Sequence, residues 1–398
     1  GLFAISTFGS KILVFLLTPL YTSILATEEY GIADLITATV NLVYPILTLA
    51  IAEATLRYSI EKNENKNKVF VNSIWFIVIS TLLLLALTPA SKHIYDEIAD
   101  YWLVFVGIYL LTNIHQVLSN FIKGLGQTKL FAIQGLVQTL SIIACNILFL
   151  VVFKWGLKGY LLSIYVGYIV PSLLMFFFGK TYKYLFPLSI DWGLLKQMLH
   201  YCIPMIPTLV AWAINTNIDK FMIIGMCGLG ESGIYGVAHK IPTLMTSVLS
   251  VFTQAWLLSA INSFGDSDES EYYTNVYKAL NIVSVLGCFA IIFMTKFLSG
   301  FLFAKDYYIA WQYVPFLTVS VLFSSNGGFI SSIFKAAKKT NSLFYTVLIG
   351  SVVNVILNYV LINLLGTVGA AISTMVGFLV IWLFRIIMVQ RIVKVKIS

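Results

Sequence analysis

Long runs of apolar residues alternate with short polar connections along the whole 398-residue chain. Each run is about 20 residues or longer, which as an α-helix is enough to cross ~30 Å of hydrocarbon. Lipid admits only helices or closed barrels, and the runs lack the period-two alternation of barrel strands. The pattern therefore predicts an all-α integral membrane protein with about twelve transmembrane helices.

The predicted spans cover residues 1–26, 31–58, 69–90, 100–122, 130–153, 157–179, 201–227, 232–262, 275–298, 308–334, 342–364 and 367–390. No connection is long enough to hold a soluble domain. The longest, around residues 180–200, contains FPLSIDWGLLKQMLHY. It is typical of an amphipathic helix on the membrane surface, although an early start of the seventh span is an alternative.

Composition supports the membrane interpretation and charge gives the orientation. Apolar residues form 59% of the chain and charged residues 11%, with mean hydropathy +0.90, whereas soluble domains carry about 25% charged residues. With the amino terminus in the cytoplasm, 17 of the 25 Lys and Arg fall on the inner side and five on the outer side. This bias predicts two cytoplasmic termini. The net charge of +8 then reflects topology and contact with anionic lipids, and gives no support to nucleic-acid binding.

Neither the cysteines nor the histidines indicate a cofactor or an active site. The four cysteines lie in or at the ends of apolar helices, without metal-ligand spacing or a disulfide framework. The four histidines are scattered, and no phosphate loop or HExxH motif occurs. We expect no bound cofactor, no metal and no enzymatic activity.

The chain contains an internal repeat of three blocks in the same order. The paired segments are ATEEYGIADL (26–35) with GLGESGIYGVA (228–238), SNFIKGLGQTK (119–129) with SSIFKAAKKTN (331–341), and WGLKGYLLSIYVGY (155–168) with LGTVGAAISTMVGF (365–378). Six helices repeated as six, both halves starting on the same side, is the parallel-repeat plan of some transporters. We therefore predict two six-helix bundles around a central cleft, with lobes at 1–185 and 201–398 joined by a linker helix at 186–200.

Charged residues lie unusually deep in the seventh and eighth spans. If those spans form a hairpin turning near residues 229–230, Asp219 lies level with Lys240, and Lys220 lies level with His239. A charge at the centre of a span costs about 2.5–3.5 kcal/mol, so each needs a partner or water. We predict that Asp219 pairs with Lys240 while Lys220 faces the cleft, where Asn215 and Asn217 add amides. A purely structural ion pair is the alternative.

Further substrate-binding candidates lie in the first half. Lys11 belongs to the first span, and Glu53 and Arg57 have the i,i+4 spacing of a pair that serves either substrate contact or an interfacial salt bridge. The fourth span carries a polar stripe, which favours a cavity lining over packing. Its members and neighbours are Thr112, Asn113, His115, Gln116, Ser119, Asn120 and Lys123.

Proline residues within the first two spans of each half predict bends. They include Pro45 and Pro242, where a backbone hydrogen bond is lost. Such bends would serve as hinges or be static kinks.

The segments STFGSKILVFLLTPLYTSILATEEYGIADL, NTNIDKFMI and ESGIYGVAHKIP resemble the Wzx-type O-antigen and capsule repeat-unit flippases of the multidrug/oligosaccharidyl-lipid/polysaccharide exporter superfamily. The resemblance implies movement of undecaprenyl-diphosphate-linked oligosaccharide across the bacterial inner membrane, by alternating access through a cationic cleft. It places the charged part of a seventh-span motif on Asp219 and Lys220, and a basic position on Lys240. The expected partners are this substrate, membrane lipids and a coupling ion, H⁺ or Na⁺.

Two other functions stay open on the sequence. A proton- or sodium-coupled drug or cation antiporter of the same superfamily would use Asp219 as its coupling site. It predicts an acid-rich cleft, whereas Lys11, Lys220 and Lys240 outnumber the deep acid here. A polysaccharide polymerase or ligase would need a sizeable outer loop or a catalytic cluster, which the short connections do not offer.

Overall fold

The computed structural model describes residues 9, 12–13, 15–61, 64–90, 99–265, 268–337 and 339–395. Its described part contains fifteen α-helices. They are α1 Thr18–Ile24, α2 Thr27–Leu47, α3 Ile51–Ile60, α4 Lys66–Ala86, α5 Trp102–Gly124, α6 Thr128–Asn146, α7 Gly156–Phe178, α8 Trp192–Cys202, α9 Ile206–Cys227, α10 Leu229–Ala238, α11 Lys240–Asn262, α12 Glu269–Leu302, α13 Val314–Ala336, α14 Thr340–Leu365 and α15 Thr367–Val389.

Eleven helical segments in this described part are long and apolar enough to cross a membrane. They correspond one by one to the second to twelfth predicted spans, so the all-α membrane fold is confirmed. The first predicted span, 1–26, lies partly outside the described residues, and α1 falls within its described part. The predicted linker helix at 186–200 begins later and ends later in the structure, as α8, and a short 3₁₀ turn at Ile203–Met205 joins it to α9.

Two predicted spans are interrupted where prolines fall. α2 ends two residues after Pro45, and Leu49 and Ala50 then adopt left-handed φ values of 46° and 54° before α3 begins. In the second half, α10 gives way to α11 at His239, three residues before Pro242. A proline lacks the N–H that would bond to the carbonyl four residues back, so the helix bends or breaks there. The predicted bend at Pro242 is confirmed, whereas α2 continues through Pro45 and the break lies beyond it, at Leu49 and Ala50.

The chain packs as two compact units. One contains Ile32–Val210, and the other combines Phe15–Gly31 with Ala211–Ser398. Within the second unit, α1 and the first turn of α2 pack with helices from the second half of the chain. The proposed boundary of the lobes at residues 186–200 remains a prediction.

In the first unit, α3, α4, α5 and α8 enclose a buried apolar cluster that includes Ile51, Phe70 and Phe121. The connection before α8 is tied to the start of α4. Asp191 caps α8 by accepting a hydrogen bond from the Leu194 N–H at 3.0 Å, and its other oxygen lies 2.6 Å from the Lys68 ammonium. Asp191 thus ties the start of α8 to the start of α4.

The third repeat block places glycines where the backbone requires them in both halves. Gly156 and Gly366 begin the turns into α7 and α15 with φ values of 53° and 60°, which side-chain-bearing residues rarely adopt. One turn later, a Cβ on Gly159 would lie 3.0 Å from the Phe149 side chain, and a Cβ on Gly369 would lie 2.1 Å from the Leu361 carbonyl oxygen. Matched glycines therefore allow matched helix contacts, which is the physical basis of the repeat.

The first repeat block brings two equivalent helix starts into direct backbone contact within the second unit. A Cβ on Gly31 of α2 would lie 2.3 Å from the Leu229 carbonyl oxygen of α10. Reciprocally, a Cβ on Gly233 of α10 would lie 2.0 Å from the Thr27 carbonyl oxygen of α2. The repeated Glu-x-Gly sequence therefore forms a crossing at which only glycine fits, as small residues allow helices to approach closely in lipid.

Gly233→Ala tests this crossing. The new methyl group would overlap the Thr27 carbonyl, so we expect the free energy of unfolding to fall by about 1–3 kcal/mol, the usual cost of overpacking. Thermal unfolding of the purified protein in detergent provides the measurement. Gly287→Ala is the control, because a Cβ there meets nothing within 4 Å and alanine favours a helix by about 0.5–1 kcal/mol. Equal unfolding temperatures for the two variants would contradict the crossing.

Acid tests the Asp191–Lys68 contact. The hydrogen bond from Lys68, together with that from the Leu194 N–H, lowers the pKa of Asp191 in the folded protein from its ordinary value of 3.8. A carboxylate of lowered pKa stabilises the fold above its unfolded-state pKa, and this contribution is lost as the pH falls through the folded-state pKa. Below about pH 4, the unfolding temperature of the wild type should drop more steeply than that of Asp191→Asn. Parallel pH profiles would exclude the contribution.

Candidate functional site

A single carboxylate lies deep within α9, in the segment AWAINTNIDKFMIIGM. Asp219 is 2% exposed and lies eight residues before the end of the helix at Cys227, a distance of about 12 Å along the axis. A carboxylate removed from water is costly unless hydrogen-bond donors or an opposite charge surround it. The partners of Asp219 therefore decide what this position can do.

Three neutral side chains from three other helices donate to Asp219. The Asn358 amide of α14 donates to Oδ1 at 2.5 Å, and the Tyr235 hydroxyl of α10 donates to Oδ2 at 3.0 Å. The Thr374 hydroxyl of α15 also donates to Oδ2. The Asn358 amide is shared with the Asn354 carbonyl oxygen one turn earlier, at 3.1 Å. These five residues, called the Asp219 cluster below, are all buried.

The Asp219 cluster retains hydrogen-bonding capacity that the structure does not use. Asn358 Oδ1 is buried and has no hydrogen-bond partner among the described residues. One turn before Asp219, Asn215 is 1% exposed, and both of its side-chain polar atoms are equally unpartnered in the described part of the chain. Buried polar atoms of this kind are rare in native proteins and call for an explanation.

The donor set suits a proton or a hard monovalent cation. Carboxylate, amide and hydroxyl oxygens are the ligands of hard cations, whereas transition metals prefer histidine and cysteine. Within the described ranges, no group of three or more His, Cys, Asp or Glu side chains is arranged to hold a metal ion. Rotation of the Asn358 amide would direct its unpartnered oxygen toward the position of a bound cation.

The predicted ion pair between Asp219 and Lys240 is wrong. Asn358, Tyr235 and Thr374 occupy both oxygens of Asp219, and the Lys240 ammonium instead lies 5.9 Å from the centre of the Tyr30 ring. Asp219 and Lys240 lie at the same depth only if the two spans form a continuous hairpin. The break at His239 makes Lys240 the first residue of a new helix, so the assumed register does not hold.

The neighbouring candidates surround the Asp219 cluster without joining it. Lys220 follows Asp219 and is half-buried, on a helix where successive side chains point about 100° apart. The His239 ring packs edge-on against the Tyr235 ring, with centroids 4.8 Å apart, so Tyr235 connects His239 to Asp219. Asn217 donates to the Ala213 carbonyl of its own helix at 3.0 Å.

In the first unit, the polar stripe of the fourth span is engaged in contacts between helices. His115 of α5 hydrogen-bonds Gln134 of α6 at 2.8 Å, and its ring packs against Tyr168 of α7. Asn120 donates to the Ala52 carbonyl of α3 at 2.8 Å, whereas Asn113 donates to the Tyr109 carbonyl of its own helix. A substrate-binding role for His115, Asn113 and Asn120 remains a prediction.

The predicted pair of Glu53 with Arg57 is also wrong. Arg57 instead pairs with Glu61, at 3.0 Å and one turn further along. Both spacings are i,i+4, but α3 ends at Ile60. Glu61 therefore lies outside the helix near solvent, where the exposed Arg57 reaches it, whereas Glu53 is half-buried. Lys11 lies outside the described residues.

Sequence analysis missed four members of the Asp219 cluster: Tyr235, Asn354, Asn358 and Thr374. Asn358 carried a signal, because it lies 212 residues after Asn146, the same offset that relates residues 119–129 to 331–341 in the repeat. Asn146 also forms a buried polar contact, with Ser163 at 2.8 Å. Asn354 and Asn358 are four residues apart in an apolar helix, which places both amides on one face. Nothing in the local sequence connected them to Asp219, which lies 139 residues before Asn358.

Comparison with known proteins identifies the family. The family model for polysaccharide biosynthesis proteins matches residues 1–261, which is more than half of the chain. The chain belongs to this family. The MatE family model also matches residues 234–360, which include most of the Asp219 cluster.

A curated relative and several solved structures cover nearly the whole chain. An uncharacterized membrane protein of Methanocaldococcus jannaschii is 23% identical over 98% of this chain and 96% of its own length. An inward-facing multidrug resistance MATE family transporter of the MOP superfamily matches with a TM-score of 0.81, at 14% identity and 98% coverage of both chains. The lipid II flippase MurJ matches with a TM-score of 0.73, at 19% identity, over 98% of this chain and 87% of its own.

These matches establish the fold of this protein, a member of the polysaccharide biosynthesis family. A MOP-superfamily transporter from Pyrococcus furiosus also matches, with a TM-score of 0.69 and 14% identity over 98% of this chain and 95% of its own. The chain shares the fold of these membrane transporters and of this flippase. With its eleven apolar helices in the described residues, the protein is a multi-pass membrane protein of this fold.

Asn358→Leu tests the energetic role of the Asp219 cluster. The substitution removes the donor to Asp219 Oδ1 and leaves a buried acceptor unsatisfied, which typically costs about 1–3 kcal/mol. We expect a matching loss in the free energy of unfolding in detergent. Asn363→Leu on the same helix is the control, since its exposed amide bonds only the Tyr359 carbonyl one turn back. If Asn358→Leu and Asn363→Leu lower the free energy of unfolding equally, the Asp219 cluster does not stabilise the fold.

Proposed function

We propose that the protein is a flippase for undecaprenyl-diphosphate-linked oligosaccharide repeat units. It would move them from the cytoplasmic to the outer leaflet of the bacterial inner membrane, with both termini in the cytoplasm. The observation that carries the proposal is the family match over residues 1–261. A saccharide assembled on a lipid inside the cell must cross the bilayer before it is used outside, and a polysaccharide biosynthesis protein with a transporter fold suits that step.

Cationic side chains of the second unit support an anionic cargo. No carboxylate lies within 4.0 Å of Lys240 among the described residues, and its ammonium lies 5.9 Å from the centre of the Tyr30 ring. A desolvated lysine is stabilised by a bound anion, and phosphate oxygens are strong acceptors for it. In this proposal Lys240 and Lys220 bind the diphosphate. A cytoplasm-negative membrane potential would assist export of the anion, by about 2.3 kcal/mol per charge per 100 mV.

The Asp219 cluster serves as the site of a coupling ion, H⁺ or Na⁺, in the proposed cycle. Its support is the buried carboxylate surrounded by neutral donors, with an unpartnered amide oxygen on Asn358 among the described residues. A cation bound to Asp219 would neutralise its charge, whereas the empty site keeps a charge in the protein interior. Binding and release thus favour different arrangements of α9, α14 and α15, which is the requirement for coupling.

The same cluster favours one second candidate, a proton- or sodium-coupled drug or cation antiporter. In that case Asp219 exchanges the ion for a cationic compound, and Lys220 and Lys240 have no substrate role. Drug-efflux assays in a sensitive host separate the two. Efflux that depends on Asp219 but not on the lysines would select the antiporter.

Lys240→Ala and Lys220→Ala test the flippase. We expect each to lower surface display of the polysaccharide at least tenfold, because a lost charged contact to a phosphate costs about 1.5–3 kcal/mol. Display is measured in cells that lack the native protein, with membrane levels of each variant checked by immunoblot. Lys180→Ala, at an exposed position after α7, is the control. Full activity of both test variants would refute the role of the lysines.

Asp219→Asn tests coupling. The amide keeps the shape of the side chain but cannot release a proton or neutralise Na⁺, so the ion gradient should no longer drive transport. Uptake or flipping is followed in proteoliposomes with an imposed pH or sodium gradient. The substitution should leave gradient-free exchange of the cargo measurable. Gradient-driven transport at the wild-type rate would exclude Asp219 as the coupling site.

A further inference from the structure

A second buried charge lies far from the Asp219 cluster in the sequence. Arg385, four residues before the end of α15, is 6% exposed. Its Nε donates to the Thr346 hydroxyl of α14 at 3.2 Å, and its Nη1 donates to the Gly327 carbonyl of α13 at 3.0 Å. Both acceptors are neutral. A guanidinium cannot lose its proton in a protein, so a full positive charge is enclosed here without a negative one.

The surroundings add positive charge. Lys335 lies eight residues after Gly327 on α13, the helix whose Gly327 carbonyl accepts from Arg385, so both charges belong to the same end of this bundle. Among the described residues, no carboxylate approaches either side chain within 4.0 Å. A buried, uncompensated charge ordinarily costs several kcal/mol. A purely structural brace across three helices would be made at lower cost by a neutral amide.

Part of the Arg385 guanidinium is available to hydrogen-bond a further ligand. Arg385 Nη2 makes no hydrogen bond within the described part of the chain, and one N–H of Nη1 is likewise unused. Gly327 lies directly against the guanidinium, because a Cβ at this position would be 3.4 Å from Arg385 Nη1. The remaining N–H groups form the fork that binds two oxygens of one phosphate. Lys335, one residue before the end of α13, is exposed to solvent.

We infer that Arg385 and Lys335 form a binding site for a phosphate-bearing anion at the carboxyl ends of α13 and α15, with Thr346 orienting the guanidinium. The site is distinct from Lys220 and Lys240, and it does not depend on the proposed flippase activity. Its ligand is a phosphate or diphosphate group. That group is carried either by a water-soluble compound or by the headgroup of an anionic lipid.

Isothermal titration calorimetry of the full chain in a neutral detergent tests the site, with inorganic pyrophosphate as the probe at constant ionic strength. The Lys220→Ala/Lys240→Ala background removes the proposed cargo site from the measurement. We expect pyrophosphate to bind this background, Lys335→Gln to weaken binding at least tenfold, and Arg385→Gln to abolish it. Arg391→Gln, at an exposed basic position nearby in the sequence, should bind like the background.

A further variant keeps the test decisive if Arg385→Gln fails to fold. Thr346→Val retains both charges but removes the acceptor that orients Nε, so it should also weaken pyrophosphate binding. No binding by the Lys220→Ala/Lys240→Ala background, or equal binding by that background, Lys335→Gln and Thr346→Val, would overturn the inference. A merely structural role of Arg385 predicts altered unfolding temperatures without any pyrophosphate response.

Nanodiscs distinguish the two sources of the phosphate group. The background variant is reconstituted in phosphatidylcholine alone and in phosphatidylcholine with phosphatidylglycerol. Loss of the pyrophosphate signal only with phosphatidylglycerol identifies a lipid headgroup as the occupant. An unchanged signal in both identifies a water-soluble phosphate. Either result requires the site, and a signal that also survives Arg385→Gln in nanodiscs would refute it.

Discussion

Inside a bilayer a polar group finds no water, so each must find its partner within the protein. This constraint explains most of the polar contacts between the helices. Buried serine and threonine hydroxyls return to carbonyls of their own helix, as Thr55 and Thr318 do. Where a side chain cannot be satisfied locally, it joins helices instead, as His115 does with Gln134. Groups that the constraint leaves unsatisfied are therefore the informative ones.

Two charged groups depart from this rule in opposite ways. Asp219 is an acid surrounded by neutral donors, and Arg385 is a base surrounded by neutral acceptors. Neither contacts a group of opposite charge within the described residues. Enclosed charges of this kind are costly and are candidates for functional sites. A cation at Asp219 and an anion at Arg385 would each complete a site that the helices already support.

Glycine residues allow the closest contacts between helices. The crossing of α2 with α10 depends on Gly31 and Gly233, at which any Cβ would overlap a carbonyl group of the partner helix. Association in lipid relies on close packing rather than on the hydrophobic effect, so positions of closest approach tolerate little change. The crossing also fixes the start of α10, the helix that presents Tyr235 to Asp219. Packing at the repeat thereby positions the candidate site.

The sequence by itself determined the membrane class, the eleven described spans, the repeat and the bend at Pro242. Each of these follows from local rules: hydrocarbon thickness, helix periodicity and the missing N–H of proline. Only the tertiary structure decided the partners of Asp219 and Arg385. Asn358 and Thr374 lie 139 and 155 residues from Asp219, and Gly327 lies 58 residues from Arg385. The sequence shows that a charged residue in an apolar helix needs partners. The packing of helices that are distant in the sequence decides which side chains reach it.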